Sequence, residues 1–276
     1  MRQRDVMKRT LLYLLLALVL IFFMTPIFWT ILLAIRPTAT NRTIPPTLIF
    51  SPTLKHFSYA FIYPGLFKGY LMNSLIISGV AVVVSIPFSL SAAYSLSRFR
   101  FKGKTFFTFF YLGLFLGPPM VFLLPYYLQM SKLGWVGTYQ ALIIIYQTFT
   151  IPFSILVMKS FFDEVPVSLE EAAMVDGASR FGAVRRVVLP LCLPGIVVSS
   201  MFAFVFSWNN SVYPLVLSGA GTRPLPIGTL NLQATTGIQW NAIAGASVTT
   251  MIPPMLIFLV LNRYLIRGLT LGAVKQ

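Results

Sequence analysis

Six stretches of this 276-residue chain contain no Asp, Glu, Lys or Arg: Thr10 to Ile35, Gly69 to Ser97, Thr105 to Ser131, Leu133 to Met158, Val187 to Thr222 and Pro224 to Asn262. A helix needs about 20 apolar residues to cross the hydrocarbon core, so each stretch can hold one span. The last two are longer than one helix needs and include a polar stretch from Gly219 to Asn241, rich in Gly, Pro, Gln and Asn, which reads as a loop. The pattern predicts spans near 11–34, 71–96, 106–128, 139–160, 191–217 and 245–264. Period-two alternation is missing and the apolar runs are long, which argues against a strand barrel. The first apolar run exceeds the 7–15 residues of a signal-peptide core and reads as an anchor.

Composition agrees. The hydrophobic fraction is 57% and the charged fraction 10%, against about 25% charged in soluble domains. The class is an all-α, polytopic membrane protein, with residues 1–276 forming a single transmembrane domain in a lipid bilayer. A net charge of +15 would suggest nucleic acid in a soluble chain. Here it belongs to basic segments flanking spans, and no nucleic-acid partner is expected. One cysteine, Cys192, and one histidine, His56, permit neither an intrachain disulfide nor a His/Cys metal cluster.

Lys and Arg set the orientation. With the N-terminus inside, the inner segments hold 15 of the 21 basic residues, including Arg98, Arg100, Lys102 and Lys104 after the second span. The outer segments hold Arg36, Arg42, Lys55, Lys68, Lys132 and Arg223. Both termini are therefore expected in the cytoplasm. All six acids fall inside as well, five of them between Asp163 and Asp176. Prolines interrupt several spans (Pro87, Pro118, Pro119, Pro125, Pro152, Pro253 and Pro254), which predicts bent helices.

The inner segment 161–190 is chemically unlike the others. Ser168-Leu-Glu-Glu171 has the form of a capping box, with Ser168 as N-cap and Glu171 reaching back to it. Gly177 reads as a helix stop in the left-handed region. A second short helix is expected from Ser179 towards Val188, with Arg185 and Arg186 near its C-terminal end. The small residues Ala172, Ala173, Gly177 and Ala178 would let another surface approach closely.

Glu171-Ala172-Ala173, then Gly177, then Val187-Val-Leu189-Pro190 resembles the EAA signature of permease subunits of binding-protein-dependent ATP-binding-cassette importers. Phe161-Phe162 with Val165-Pro166, Trp208-Asn209, Leu225-Pro226-Ile227-Gly228 and the ending Gly268-Leu269-Thr270 to Lys275 resemble the carbohydrate branch, and the smaller maltose-type subunit in particular. The resemblance implies six spans, with a cytoplasmic coupling helix between the fourth and fifth that docks on a separate ATPase. Glu170, Glu171, Ala172, Ala173, Asp176, Gly177, Ala178, Leu189 and Pro190 would form that coupling site. It also implies a second homologous permease, two ATPase subunits and an extracytoplasmic solute-binding protein, in a bacterial or archaeal cytoplasmic membrane. No cofactor is expected on this chain; ATP and Mg would bind the partner ATPase. Consistently, Gly103-Lys104-Thr105 is no phosphate-binding loop, because position 98 carries arginine where that motif needs glycine.

Intramembrane polar groups tend to face a cavity or another helix. Asn73, Gln147, Ser207, Trp208, Asn209, Asn210 and Tyr213 are the candidates for a solute pathway, since sugars are held by hydroxyl–amide hydrogen bonds and by stacking on aromatic rings. Helix–helix hydrogen bonding is the alternative role for the same groups. Two rival functions are a stand-alone secondary transporter or channel, and an intramembrane enzyme. No charged residue falls in the middle of a predicted span to drive coupled transport, Lys159 and Arg263 standing at the inner ends of theirs, and no nucleophile with a base, or metal-ligand set, converges; a catalytic role is not expected.

Overall fold

The computed structural model describes residues 2–38, 49–57, 66–231 and 240–273. Arg42 and Lys275, which enter the charge count above, lie outside the described residues. The described residues are helical, without strands. Among the described residues, four helices are each long and apolar enough to cross a membrane: α1 (Arg2–Ile35), α2 (Leu66–Arg98), α5 (Tyr139–Glu164) and α12 (Trp240–Ala273). Two further segments are bent pairs.

The predicted third span is not one helix. α3 (Lys104–Leu116) and α4 (Pro119–Lys132) meet at 93°. Pro118 cannot donate a backbone hydrogen bond and pushes the residue before it into extended backbone; Gly117 takes φ −63°, ψ 130°. At about 1.5 Å per residue, the 13 residues of α3 reach only part of the way across a bilayer. The predicted fifth span is also interrupted. α9 (Leu193–Asn209) ends where Asn210 turns extended, and a short α10 (Val212–Leu217) follows.

Between α5 and α9 lies the inner segment: α6 (Val167–Val175), α7 (Arg180–Ala183), a π turn over Val184–Val188 and α8 (Leu189–Leu191). This run meets α9 at 73° around Cys192. The short α11 (Leu225–Asn231) precedes α12.

The chain packs as two units. The first comprises residues 1–67 and 229–252. Its α1 is exposed along almost its whole length, as suits a helix sheathed in lipid. The end of α1 is held by side chains: the Asn241 amide donates to the carbonyls of Leu33 (3.0 Å) and Arg36 (2.6 Å), and the His56 ring donates to the Arg36 carbonyl (3.0 Å). These bonds satisfy carbonyls that a helix end leaves without intrahelical partners.

The second unit comprises residues 68–228 and 253–276. It holds two buried clusters. Ile77, Leu142, Ile145, Tyr146, Tyr213 and Leu217 centre one. Leu96, Ile155, Met158, Phe162, Val188 and Cys192 centre the other, next to the inner segment. Phe153 ties α5 to α3 and α9, with ring centroids 5.2 Å from Phe115 and 5.1 Å from Phe202. α5 and α9 pack so closely at Gly195 that a Cβ there would sit 2.5 Å from the Phe161 ring.

Candidate functional site

α6 starts two residues earlier than the capping box requires. Pro166 is the N-cap, with φ −58° and ψ 131°, and no side chain caps the helix. Ser168 is therefore the second helical residue, and the reciprocal Ser168–Glu171 cap does not form. Pro166, two residues upstream of Ser168, sets the entry into the helix instead through its fixed φ.

The exit is as the sequence predicts. Gly177 has φ +88°, its amide donates to Met174 O (3.1 Å), and the Ala178 amide reaches Ala173 O (3.0 Å). These two bonds make a Schellman closure, which needs a residue with left-handed backbone at the glycine position. Ser179 then caps α7, its hydroxyl accepting from the Gly182 amide at 3.2 Å. The result is a helix, a glycine turn and a second helix, enclosing a groove of about 250 Å³. Ala173, Gly177, Ala178 and Gly182 line it together with Asp176 and Arg186. Among the described residues, a Cβ on Gly177 would meet no atom within 4 Å beyond its two chain neighbours, so the surface in front of it is open. Glu171, Ala172, Asp176 and Pro190 are exposed, and Leu189 is half-buried.

Glu170 is the exception. It is 3% exposed and faces back into the chain. Its Oε2 pairs with Arg98 Nε at 3.1 Å, and its Oε1 accepts from the Tyr94 hydroxyl. Arg98 also donates to the Val165 carbonyl (2.9 Å). Next to it, the Ser97 hydroxyl donates to Asp163 Oδ1 (2.6 Å), and the Arg180 guanidinium lies 5.2 Å from the centre of the Phe99 ring. The last turn of α2 thus grips the inner segment at residues 163, 165, 170 and 180. Sequence reasoning missed this grip. The available signal was a cluster of basic residues ending one run and a cluster of acids in another.

The intramembrane candidates divide. Asn73 is engaged on every side: its amide donates to Gly221 O (3.0 Å) and Arg223 O (2.9 Å), and its oxygen accepts from Tyr139 OH (2.6 Å). The Gln147 amide donates to Ile143 O at 2.8 Å. Trp208 is 1% exposed and stacks on Phe204 at 5.4 Å. Tyr213 is buried and its hydroxyl donates to Pro119 O (3.3 Å). Asn209 is exposed. Asn210 lies at the α9 break, its oxygen accepting from the Tyr213 amide at 3.3 Å.

Asn210 also borders a cavity of about 200 Å³ with Phe115, Gly117, Tyr146, Thr150 and Ser207. Both helix breaks, at Gly117 and at Asn210, open onto it. Broken backbone at membrane depth is tolerated where it lines a cavity. The Tyr146 hydroxyl and the Ser207 hydroxyl are buried on its wall without a hydrogen-bond partner among the described residues. An unsatisfied buried hydroxyl costs about 1–3 kcal/mol, which a bound polar molecule would offset. Tyr146 was not among the sequence candidates, because a tyrosine inside an apolar run reads as core.

The fold matches chains in solved structures of a bacterial ABC transporter. The chain resembles one from the crystal structure of a bacterial ABC transporter involved in import of the acidic polysaccharide alginate, with a TM-score of 0.75 and 21% identity over 94% of this chain and 97% of that one. The profile of the family described as "Binding-protein-dependent transport system inner membrane component" matches residues 85–270. Similar proteins include the trehalose/maltose transport system permease protein MalG of Thermococcus litoralis, 33% identical and covering 99% of both chains. Another is the diacetylchitobiose uptake system permease protein DasC of Streptomyces coelicolor, 35% identical over 91% of each. The chain belongs to the binding-protein-dependent transport family of inner-membrane permeases.

Proposed function

We propose that the chain is one permease subunit of an ATP-driven importer for a sugar or short oligosaccharide delivered by an extracytoplasmic binding protein. The observation that carries this reading is the open, small-residue groove around Gly177, held in shape by a buried ion pair behind it. Such a surface suits a rigid protein partner. The reading assigns that partner as a separate ATPase, present in two copies, which binds ATP and Mg. A second, homologous permease completes the membrane pair, and both termini face the cytoplasm. This chain binds no cofactor and performs no catalysis itself.

The sugar class is supported by the relatives, whose names specify trehalose/maltose, diacetylchitobiose and, in Halalkalibacterium halodurans, arabinooligosaccharides. The cavity chemistry suits it as well. Phe115, Phe149 and Phe206 supply apolar ring surface, and the Tyr146, Ser207 and Asn210 side chains supply polar groups. The groove and the cavity thus separate a coupling function from a solute-facing one.

Uptake into proteoliposomes holding this chain, its paired permease and the ATPase tests the reading. Entry should require ATP on the ATPase side and the loaded binding protein on the other. Entry through this chain alone, without an ATPase, would favour a secondary transporter or channel and refute the assignment.

A further inference from the structure

The contacts of α2 at its two ends form a single arrangement. At one end Tyr94, Ser97, Arg98 and Phe99 hold the inner segment, as described above. At the other end Asn73 and Ser74 hold the loop after α10. Asn73 donates to the Gly221 and Arg223 carbonyls, and the Ser74 hydroxyl accepts from the Leu225 amide at 2.7 Å. Asn73 is 6% exposed and Ser74 is 1% exposed. Gly228 packs so tightly on Tyr70 that a Cβ there would lie 2.1 Å from the ring. From Ser74 to Arg98 the helix covers roughly 36 Å at 1.5 Å per residue.

α5 braces α2 at both ends. Tyr139 OH donates to Asn73 Oδ1 at 2.6 Å near one end, and Ser97 donates to Asp163 at 2.6 Å near the other. Between them α2 contributes Ile77 and Ala81 to one buried cluster and Ala93 and Leu96 to the other. A displacement of the inner segment cannot stop at Arg98 without breaking a buried charge pair. A displacement of the helix cannot pass Asn73 and Ser74 without breaking buried hydrogen bonds or moving the loop. Packed interiors shift between discrete arrangements and do not deform continuously.

We propose that the braced pair α2–α5 carries the state of the coupling segment to the loop of residues 219–225, with Arg98–Glu170 as its grip at one end and Asn73, Ser74 and Tyr139 as its grip at the other. These are positioning residues, and the inference rests on the functional reading above. It makes residues 219–225 the far-side responder to nucleotide, through one identified pair of helices.

Hydrogen–deuterium exchange on the assembled importer tests this, comparing the nucleotide-free state with one trapped by Mg-ATP and vanadate. In the wild type, trapping should change exchange both at residues 168–183 and at residues 219–225, the latter by at least about fivefold, the low end of ordinary coupling between sites. The double variant Arg98→Met, Glu170→Gln removes both charges together, so neither is left buried alone, and keeps an acceptor for Tyr94. It should keep the response at residues 168–183 and lose it at 219–225. A full response at 219–225 in that variant would overturn the proposal. Asn73→Ala with Ser74→Ala removes the bonds to Gly221, Arg223 and Leu225 at the other end and leaves the ion pair intact. It should likewise silence 219–225, and an undiminished response there would overturn the proposal too. A wild type with no response at 168–183 would refute the functional reading itself, and the proposal with it.

Discussion

Arg98 and Glu170 stand 72 residues apart in sequence and meet as a buried pair, with Nε to Oε2 at 3.1 Å and side chains 7% and 4% exposed. The adjacent acid, Glu171, is exposed. Two neighbouring glutamates in one motif therefore have opposite surroundings, one holding the segment to its own chain and the other facing outward.

That difference is measurable. Removing one partner of a buried ion pair costs about 3–5 kcal/mol, because the other charge is left uncompensated. Glu170→Ala should lower the unfolding midpoint of the purified chain substantially and reduce its level in the membrane. Glu171→Ala should leave stability within about 0.5 kcal/mol, as expected for a surface substitution. A Glu171→Gln variant that loses uptake at normal stability would assign its charge to a contact outside this chain. Near-normal uptake would make the charge dispensable.

The cavity makes a second prediction. Tyr146 buries a hydroxyl that has no partner among the described residues. Tyr146→Phe should therefore leave thermal stability unchanged or slightly raised, since it removes an unsatisfied group. If the hydroxyl meets solute, the same variant raises the KM for uptake severalfold. Lower stability with unchanged KM would make the hydroxyl a structural group.

Cys192 is 2% exposed and packs in the cluster beside the inner segment. It behaves as a small apolar residue. Cys192→Ala should transport normally, at a stability cost of about 1 kcal/mol or less, judged by the typical single-site effect. The native thiol should resist maleimide until the protein unfolds. Fast labelling of the folded chain would contradict that burial.

That cysteine-free background also tests orientation. Lys55 is exposed in the segment after α1. A Lys55→Cys variant should react with a membrane-impermeant maleimide in intact cells, and tags at either terminus should be protected. Protection of position 55 would reverse the topology read from the Lys and Arg bias.

How far the sequence spoke for itself depended on the range of each interaction. Four long apolar helices were legible because long apolar runs are local and additive, whereas the third and fifth predicted spans are broken. The Gly177 turn was legible because a left-handed helix exit strongly favours glycine. The break at Gly117–Pro118 was only half legible. Proline announces a kink, but whether α3 and α4 differ by 20° or by 93° depends on what packs against them. The start of α6 was misread, since Ser168 matched a capping pattern that Pro166 pre-empts. Arg98 looked like one basic flank among four, because nothing within its own run indicates an acid 72 residues later.

The central claim, that residues 168–188 couple this chain to an ATPase, is tested most directly at Gly177. The left-handed backbone there costs an L-residue about 1–2 kcal/mol, and among the described residues no atom beyond the two chain neighbours stands within 4 Å of a Cβ at that position. Gly177→Trp should therefore leave the spans inserted and the fold largely intact, while filling the groove. The measurement is co-purification of the ATPase with the Gly177→Trp chain, alongside ATP-dependent uptake. The account predicts a well-folded membrane chain that no longer retains the ATPase and no longer transports. Full assembly and transport in that variant would contradict the assignment of the coupling site.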